Sequence, residues 1–168
     1  MRLVRFICIL ATACVVATIC ACSIGTEHNS GSTTGAPKRT KVRPMSDPDL
    51  VDEDAPEEFT QTASGLKYRI RRKSDGKKPT AADSVSAHYR GWIDDGRVFD
   101  SSYDRGAPTT FPLNRVIKGW TEGLQLIGEG GMIELEIPAD LGYGAGGSPP
   151  KIPPNATLHF LVELIEVR

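Results

Sequence analysis

Nine residues, VFDSSYDRG from Val98 to Gly106, carry two carboxylates, two serines, a tyrosine and an arginine. Two acids four residues apart are the minimum for a general acid and base pair, as in glycoside hydrolysis, where one protonates a leaving group and the other activates water. Against that, the stretch around Asp104 and Arg105 is a polar, turn-like run in which aspartate also serves as local backbone-capping chemistry. Spacing alone favours the turn for Asp104.

Other motifs with chemical potential fall short on context. GYGAGG, Gly142 to Gly147, fits the dinucleotide pattern G-x-G-x-x-G. That pattern needs a helix opening directly behind it to hold a pyrophosphate at its N-terminus, and here SPPKIPP follows. The three histidines, His28, His88 and His159, have no metal-ligand spacing. No G-x-S-x-G elbow is present, and His88 and His159 fall on the outward phase of their strands, so serine hydrolysis is not supported. All four cysteines, Cys8, Cys14, Cys20 and Cys22, lie in the first 22 residues, which excludes a disulfide framework or a thiol enzyme in the remainder.

The aromatic residues say more. Tyr89, Phe99, Phe111, Trp120, Tyr143 and Phe160 come from separate segments, and each falls on an apolar phase or in a loop beside one. They form either an ordinary core or an aromatic-walled pocket for a small apolar group.

The elements that must position them are mostly strands. Leu66, Tyr68 and Ile70 alternate with Lys67, Arg69 and Arg71, and Val85, Ala87, Tyr89, Gly91 and Ile93 keep the same period of two. Asp95-Gly96 predicts a tight hairpin turn into Val98 and Phe99. Ile133, Leu135 and Ile137 predict another strand, and Leu158, Phe160, Val162 and Leu164 a last one. The basic face of the first strand reads as edge protection rather than a nucleic-acid surface. One segment alone has helical spacing, Val116, Trp120, Leu124 and Ile127, with Ile117 on its flank. Its interior glycines, Gly119 and Gly123, each cost about 1 kcal/mol against alanine, so packing must hold it. The expected fold class is α+β, an antiparallel sheet with one short helix on a face.

The chain has 168 residues and a formal charge of −1 from 20 basic and 21 acidic side chains, so no overall field favours nucleic acid. Arg2 and Arg5 precede an uncharged run from Phe6 to Ala21, the basic-then-apolar order of a secretory signal. ICACS, Ile19 to Ser23, resembles a bacterial lipobox and makes Cys22 the expected lipidation site; an ordinary cleaved signal and a retained anchor are the other readings. Residues 22–58 lack apolar periodicity and read as a polar tether, with Lys38, Arg39, Lys41 and Arg43 followed by seven acids between Asp47 and Glu58. The expected organisation is thus 1–21 signal, 22–58 tether and 59–168 domain, working outside the cytoplasm in the envelope or periplasm.

Four blocks, HYRGWIDDGRVFDSS, VIKGWTEGL, IPADLGYG and IPPNATLHFLVELIEV, in this order and spacing, resemble the FKBP-type peptidyl-prolyl cis-trans isomerases from about Phe59 to Arg168. The resemblance implies a twisted antiparallel sheet curling around a short helix, with the pocket between them. It implies that Trp120 is the pocket floor, Tyr89, Phe99 and Phe160 aromatic walls, and Val116 and Ile117 aliphatic ones, with Phe111 beside them. The Ile117 N–H and the Tyr143 hydroxyl would meet substrate carbonyls, Asp100 would accept a hydrogen bond at the edge, Arg105 would anchor Asp100, and Ile152 would close the top. It further implies no cofactor, proline-containing polypeptides as substrates, macrolide inhibitors as ligands, membrane attachment through the lipid, and a monomer. Thr109, Ser148 and Lys151 depart from the pattern of small members, and the segment before Val116 is one residue shorter; these bear on substrate preference and inhibitor affinity. A non-catalytic module that holds proline-containing chains on the same pocket is the rival reading.

Overall fold

The computed structural model describes residues 48–168. Cys22, the leader and most of the predicted tether lie outside the described residues.

Seven strands form one antiparallel sheet: β1 (Thr60–Gln61), β2 (Lys67–Arg72), β3 (Ser84–Ile93), β4 (Val98–Ser101), β5 (Thr109–Pro112), β6 (Met132–Ile137) and β7 (Leu158–Val167). Their order is β1-β2-β6-β7-β3-β4, with β5 also paired to β3. One α-helix, α1 (Lys118–Leu124), crosses between β5 and β6 in sequence. Antiparallel sheet plus one helix is the α+β architecture expected.

The period of two is what sorts the faces. Val85, Ala87 and Ile93 of β3, Ile133, Leu135 and Ile137 of β6, and Leu158, Val162 and Leu164 of β7 are at most 4% exposed and share one cluster with Trp120 and Leu124 of α1. At about 25 cal/mol per Å² of apolar surface removed from water, such a face is the main reason the sheet closes on the helix. The turn at Asp95-Gly96 is tight as predicted: Gly96 has φ +81°, its N–H donates to the Ile93 carbonyl at 2.8 Å, and the Asp95 side chain accepts from the Arg97 N–H at 2.9 Å.

Three details differ from the sequence expectations. The helix is shorter than the apolar spacing suggested: a 3-10 turn (Leu113–Arg115) precedes it, and Val116 and Ile117 have extended backbones, with ψ of 176° and 149°. Seven residues cannot sustain a helix in water, and two glycines weaken it further; it persists because those glycines press on β6. A Cβ on Gly119 would lie 2.6 Å from Ile137 Cγ2, and one on Gly123 would lie 2.7 Å from Leu135 Cδ2.

Second, the basic residues of β2 are not free charges along an edge, which β1 covers only at Lys67 and Tyr68. They oppose glutamates across the ladder: Lys67 pairs Glu136 at 2.6 Å and Arg69 pairs Glu134 at 2.8 Å. Third, His88 is on the outer phase yet only 3% exposed. It begins a cross-strand row, His88, Glu163, Met132 and Arg72, in which Arg72 and Glu163 form a buried ion pair. The Tyr103 ring stacks on His88 at 4.9 Å, and Ser102 Oγ lies 3.0 Å from its Nδ1.

The end of the predicted tether also meets the sheet. The Asp52 N–H donates to the Arg71 carbonyl at 2.8 Å, Asp52 Oδ2 accepts from the Lys73 N–H at 2.7 Å, and the Leu50 carbonyl accepts from Arg72 Nη1 at 3.2 Å. Of the acids in this stretch, read from composition as solvated linker, Asp52 finds a backbone donor and Asp54 pairs with Lys73 beside β2.

Candidate functional site: an aromatic cavity between sheet and helix

Where α1 leaves the sheet, a cavity of about 440 Å³ opens, lined by residues of β3, β4, β5, β7, α1 and two loops. Trp120, in the first turn of α1, is 4% exposed and forms its centre. The rings of Tyr89, Phe111 and Phe160 each lie 5.1, 5.1 and 5.1 Å from the indole, at 86°, 63° and 84°. Phe99 meets Phe160 edge-on at 5.4 Å. Edge-to-face arrangements of this kind are the preferred geometry of aromatic quadrupoles, so the cup is held by mutual ring contacts rather than by any one strand.

Gly91 makes that possible, and no sequence signal singled it out beyond its strand phase. It sits on β3 opposite Phe160 of β7 and Asp100 of β4. A Cβ there would fall 2.6 Å from Phe160 Cε1 and 2.7 Å from Phe99 Cζ, so only glycine lets both rings close over the strand.

One side of the cavity is polar. The Tyr89 hydroxyl donates to Asp100 Oδ2 at 2.6 Å, and Arg105 Nη2 donates to the Tyr89 oxygen at 2.8 Å and to Thr109 Oγ1 at 3.3 Å. Arg105 Nη1 pairs with Asp100 Oδ1. Burial alone would raise the Asp100 pKa, but the Tyr89 hydroxyl and the Arg105 guanidinium outweigh it and hold the carboxyl below the ordinary carboxylate value. Burial, then the Asp100 carboxylate, push the Tyr89 phenol up against the lowering pull of Arg105. Asp100 is therefore an ionised acceptor at neutral pH and Tyr89 a protonated donor. Neither is poised to exchange a proton there.

Several donors of the lining lack a partner among the described residues. Among the described residues none accepts from the Ile117 N–H, although the Ile117 carbonyl closes the first turn of α1 by accepting from the Trp120 N–H at 3.0 Å. Tyr143, 44% exposed, stands on the rim with no hydrogen-bond partner for its hydroxyl among those residues. The Trp120 Nε1 is buried without a partner.

Of the residues singled out in the sequence, Tyr89, Phe99, Asp100, Phe111, Val116, Ile117, Trp120, Tyr143 and Phe160 all line this cavity. Arg105 stands behind its polar edge. Ile152 belongs to the apolar cluster at 4% exposure, in a loop closed by two bonds with Ser148 at 2.9 and 3.0 Å, and does not line the cavity. Asp104 is exposed and outside it. Arg115 lines the cavity and was not expected, since a lone arginine before VI carries no periodic or motif signal. Among the described residues no three His, Cys, Asp or Glu side chains converge as a metal site.

A sequence profile for the family described as FKBP-type peptidyl-prolyl cis-trans isomerase matches residues 75–165. A protein of Neisseria meningitidis serogroup B, named probable FKBP-type peptidyl-prolyl cis-trans isomerase FkpA, is 48% identical over 118 residues, covering 70% of this chain and 43% of that one. FkpA of Escherichia coli K12 is 48% identical over 115 residues, 68% of this chain and 42% of its own. The chain thus spans less than half the length of these curated relatives. The crystal structure of Escherichia coli FkpA superposes with a TM-score of 0.65 at 45% identity, over 67% of this chain and 53% of that one. That of AtFKBP13 gives 0.61 at 37% identity, over 66% of this chain and 99% of the other. Since the profile covers more than half of the residues and the ring-lined cavity lies within it, the chain belongs to the FKBP-type peptidyl-prolyl cis-trans isomerase family.

Proposed function

We propose that the domain is a peptidyl-prolyl cis-trans isomerase acting on proline-containing exported polypeptides. The observation that carries this reading is the Trp120 indole at the base of a cup of rings, each 5.1 Å away, with the Ile117 N–H open at its lip.

Rotation about a peptide bond meets a barrier of about 18–20 kcal/mol, mostly lost amide resonance, and X-Pro bonds isomerise in tens to hundreds of seconds. A planar amide is more dipolar than a twisted one. Moving it from water into an apolar cup therefore destabilises the ground state more than the transition state, which is differential binding. In this reading the pyrrolidine ring rests on Trp120 between Tyr89, Phe99 and Phe160, with Phe111, Val116 and Ile117 completing the wall. The Ile117 N–H and the Tyr143 hydroxyl hold substrate carbonyls on either side, Asp100 fixes the polar edge, Arg105 orients Asp100, and Ile152 holds the loop above. A thousandfold acceleration corresponds to about 4 kcal/mol, and one or two directed hydrogen bonds plus apolar transfer are of that order. The step moves no proton or electron to the protein, so it calls for no cofactor. Macrolides that present a proline-like ring would occupy the same cup.

The same proposal places the domain outside the cytoplasm as a monomer, in the periplasm or envelope, held to the membrane by a lipid on Cys22. Among the described residues no helix is long and apolar enough to cross a membrane. Mass spectrometry of the mature N-terminus tests cleavage and acylation together. A protease-coupled assay on an Xaa-Pro peptide tests the activity: a rate well above the uncatalysed one is expected. Binding of the peptide at the uncatalysed rate would replace the enzyme with a proline-holding module.

A further inference from the structure

Charge around the cavity is not balanced, although the chain as a whole carries only −1. Of the lining side chains, Asp100 and Arg115 alone bear charge. Asp100 is taken up by the Tyr89 hydroxyl and the Arg105 guanidinium. The Arg115 guanidinium, exposed at the end of the 3-10 turn, has no ion pair or hydrogen bond among the described residues. Lys151, not itself part of the lining, donates its Nζ to the backbone carbonyl of Phe99, which is, at 2.9 Å. A neutral carbonyl fixes that ammonium in place without cancelling its charge. Besides the Tyr89–Asp100–Arg105 edge, the cavity therefore has one uncommitted guanidinium in its lining and one ammonium fixed to the backbone of a lining residue.

From this geometry we infer that the cavity selects proline segments bearing a carboxylate beside the proline, an Asp or Glu whose side chain meets Arg115 within the field of Lys151. The inference rests on the proposed proline-binding reading of the same site and adds a substrate class to it. A charge-assisted, planar guanidinium contact discriminates a carboxylate from its neutral isostere. Exposure keeps the effect moderate, about two- to fivefold in kcat/KM at low ionic strength.

The test uses the mature protein and two pairs of tetrapeptides, Glu against its neutral isostere Gln, placed directly before or directly after proline. The Glu to Gln ratio of kcat/KM is expected to exceed one at one of these positions in low salt. It should approach one near 1 M salt, where the Debye length is about 3 Å, and fall below one in Arg115→Glu. Each ratio is taken within one preparation, so loss of folded protein cancels. Should Arg115→Glu fail to fold, Arg115→Gln and the salt series on the unaltered protein decide. A ratio of one or less at both positions, or one unchanged in the variants, overturns the inference. If no peptide isomerises faster than in buffer, the activity is refuted, while the calorimetric affinity ratio of the same peptides still judges the charge preference.

Discussion

Asp100 and Asp104 show how four residues of separation can mean opposite things. Asp100 lies on β4 with both oxygens engaged by Tyr89 and Arg105, whereas Asp104 accepts nothing from the site; its N–H donates to Ser101 Oγ at 3.3 Å in the turn that follows. We expect Asp104→Ala to retain most of the isomerase rate, and Trp120→Ala to abolish it and cost about 3–5 kcal/mol in denaturant unfolding, as for large aromatics emptied from a core. The polar edge also sets the pH response. With Asp100 held below its ordinary value of 3.8 and Tyr89 pushed above 10.0, neither of these two groups changes charge between about pH 5 and 9. A flat kcat/KM profile over that range is the expected result; a bell centred near neutrality would contradict a reaction without proton transfer. The stability that Asp100 lends is present above its unfolded pKa and is lost as pH falls from there through the lower folded value. Residue types made the rings legible in the sequence, because each lies on an apolar phase. Arg115 and Gly91 were not legible, since one acts through an exposed charge and the other through an absent side chain.

At the level of elements, periodicity finds β2, β3, β4, β6 and β7 but not β1, two residues long and exposed, or β5, four residues long and only partly buried. The helix was found with the wrong length, because apolar spacing cannot distinguish residues that turn with a helix from extended ones that merely precede it. Val116 and Ile117 are of the second kind, and their extended backbones are what leave the Ile117 N–H open. The two helix glycines bring propensity and packing into direct opposition. Alanine at Gly119 would gain about 1 kcal/mol of helix propensity. Its methyl would sit 2.6 Å from a fully buried Ile137, and overpacking costs typically 1–3 kcal/mol. Gly119→Ala is therefore expected to lower stability by up to about 2 kcal/mol and, by lifting α1 with its Trp120, to lower the isomerase rate as well. A stabilised and fully active variant would show that Ile137 yields freely.

For the whole molecule, the boundary between tether and domain was the least legible feature. Composition places residues 48–58 with the linker, yet Asp52 and Leu50 bond to β2, and the Glu57 carbonyl accepts from Arg69 Nη1 at 2.6 Å. A strap of backbone contacts leaves no trace in hydrophobic patterning. Asp52→Ala, which removes an acceptor for the Lys73 N–H, is expected to lower stability by about 1 kcal/mol without altering the isomerase rate, measured by urea unfolding beside the peptide assay. The strand order has a different consequence. β7 lies between β6 and β3, and nothing else in the ladder joins β1-β2-β6 to β3-β4-β5. Tyr89, Phe99 and Phe111 belong to one half, while Trp120 rides on a helix pressed against the other. Without Leu158–Val167 the two halves share no backbone ladder and meet through side chains, Trp120 against Tyr89 and Phe111. The continuity of the sheet and the Phe160 wall of the cup thus come from the same single strand.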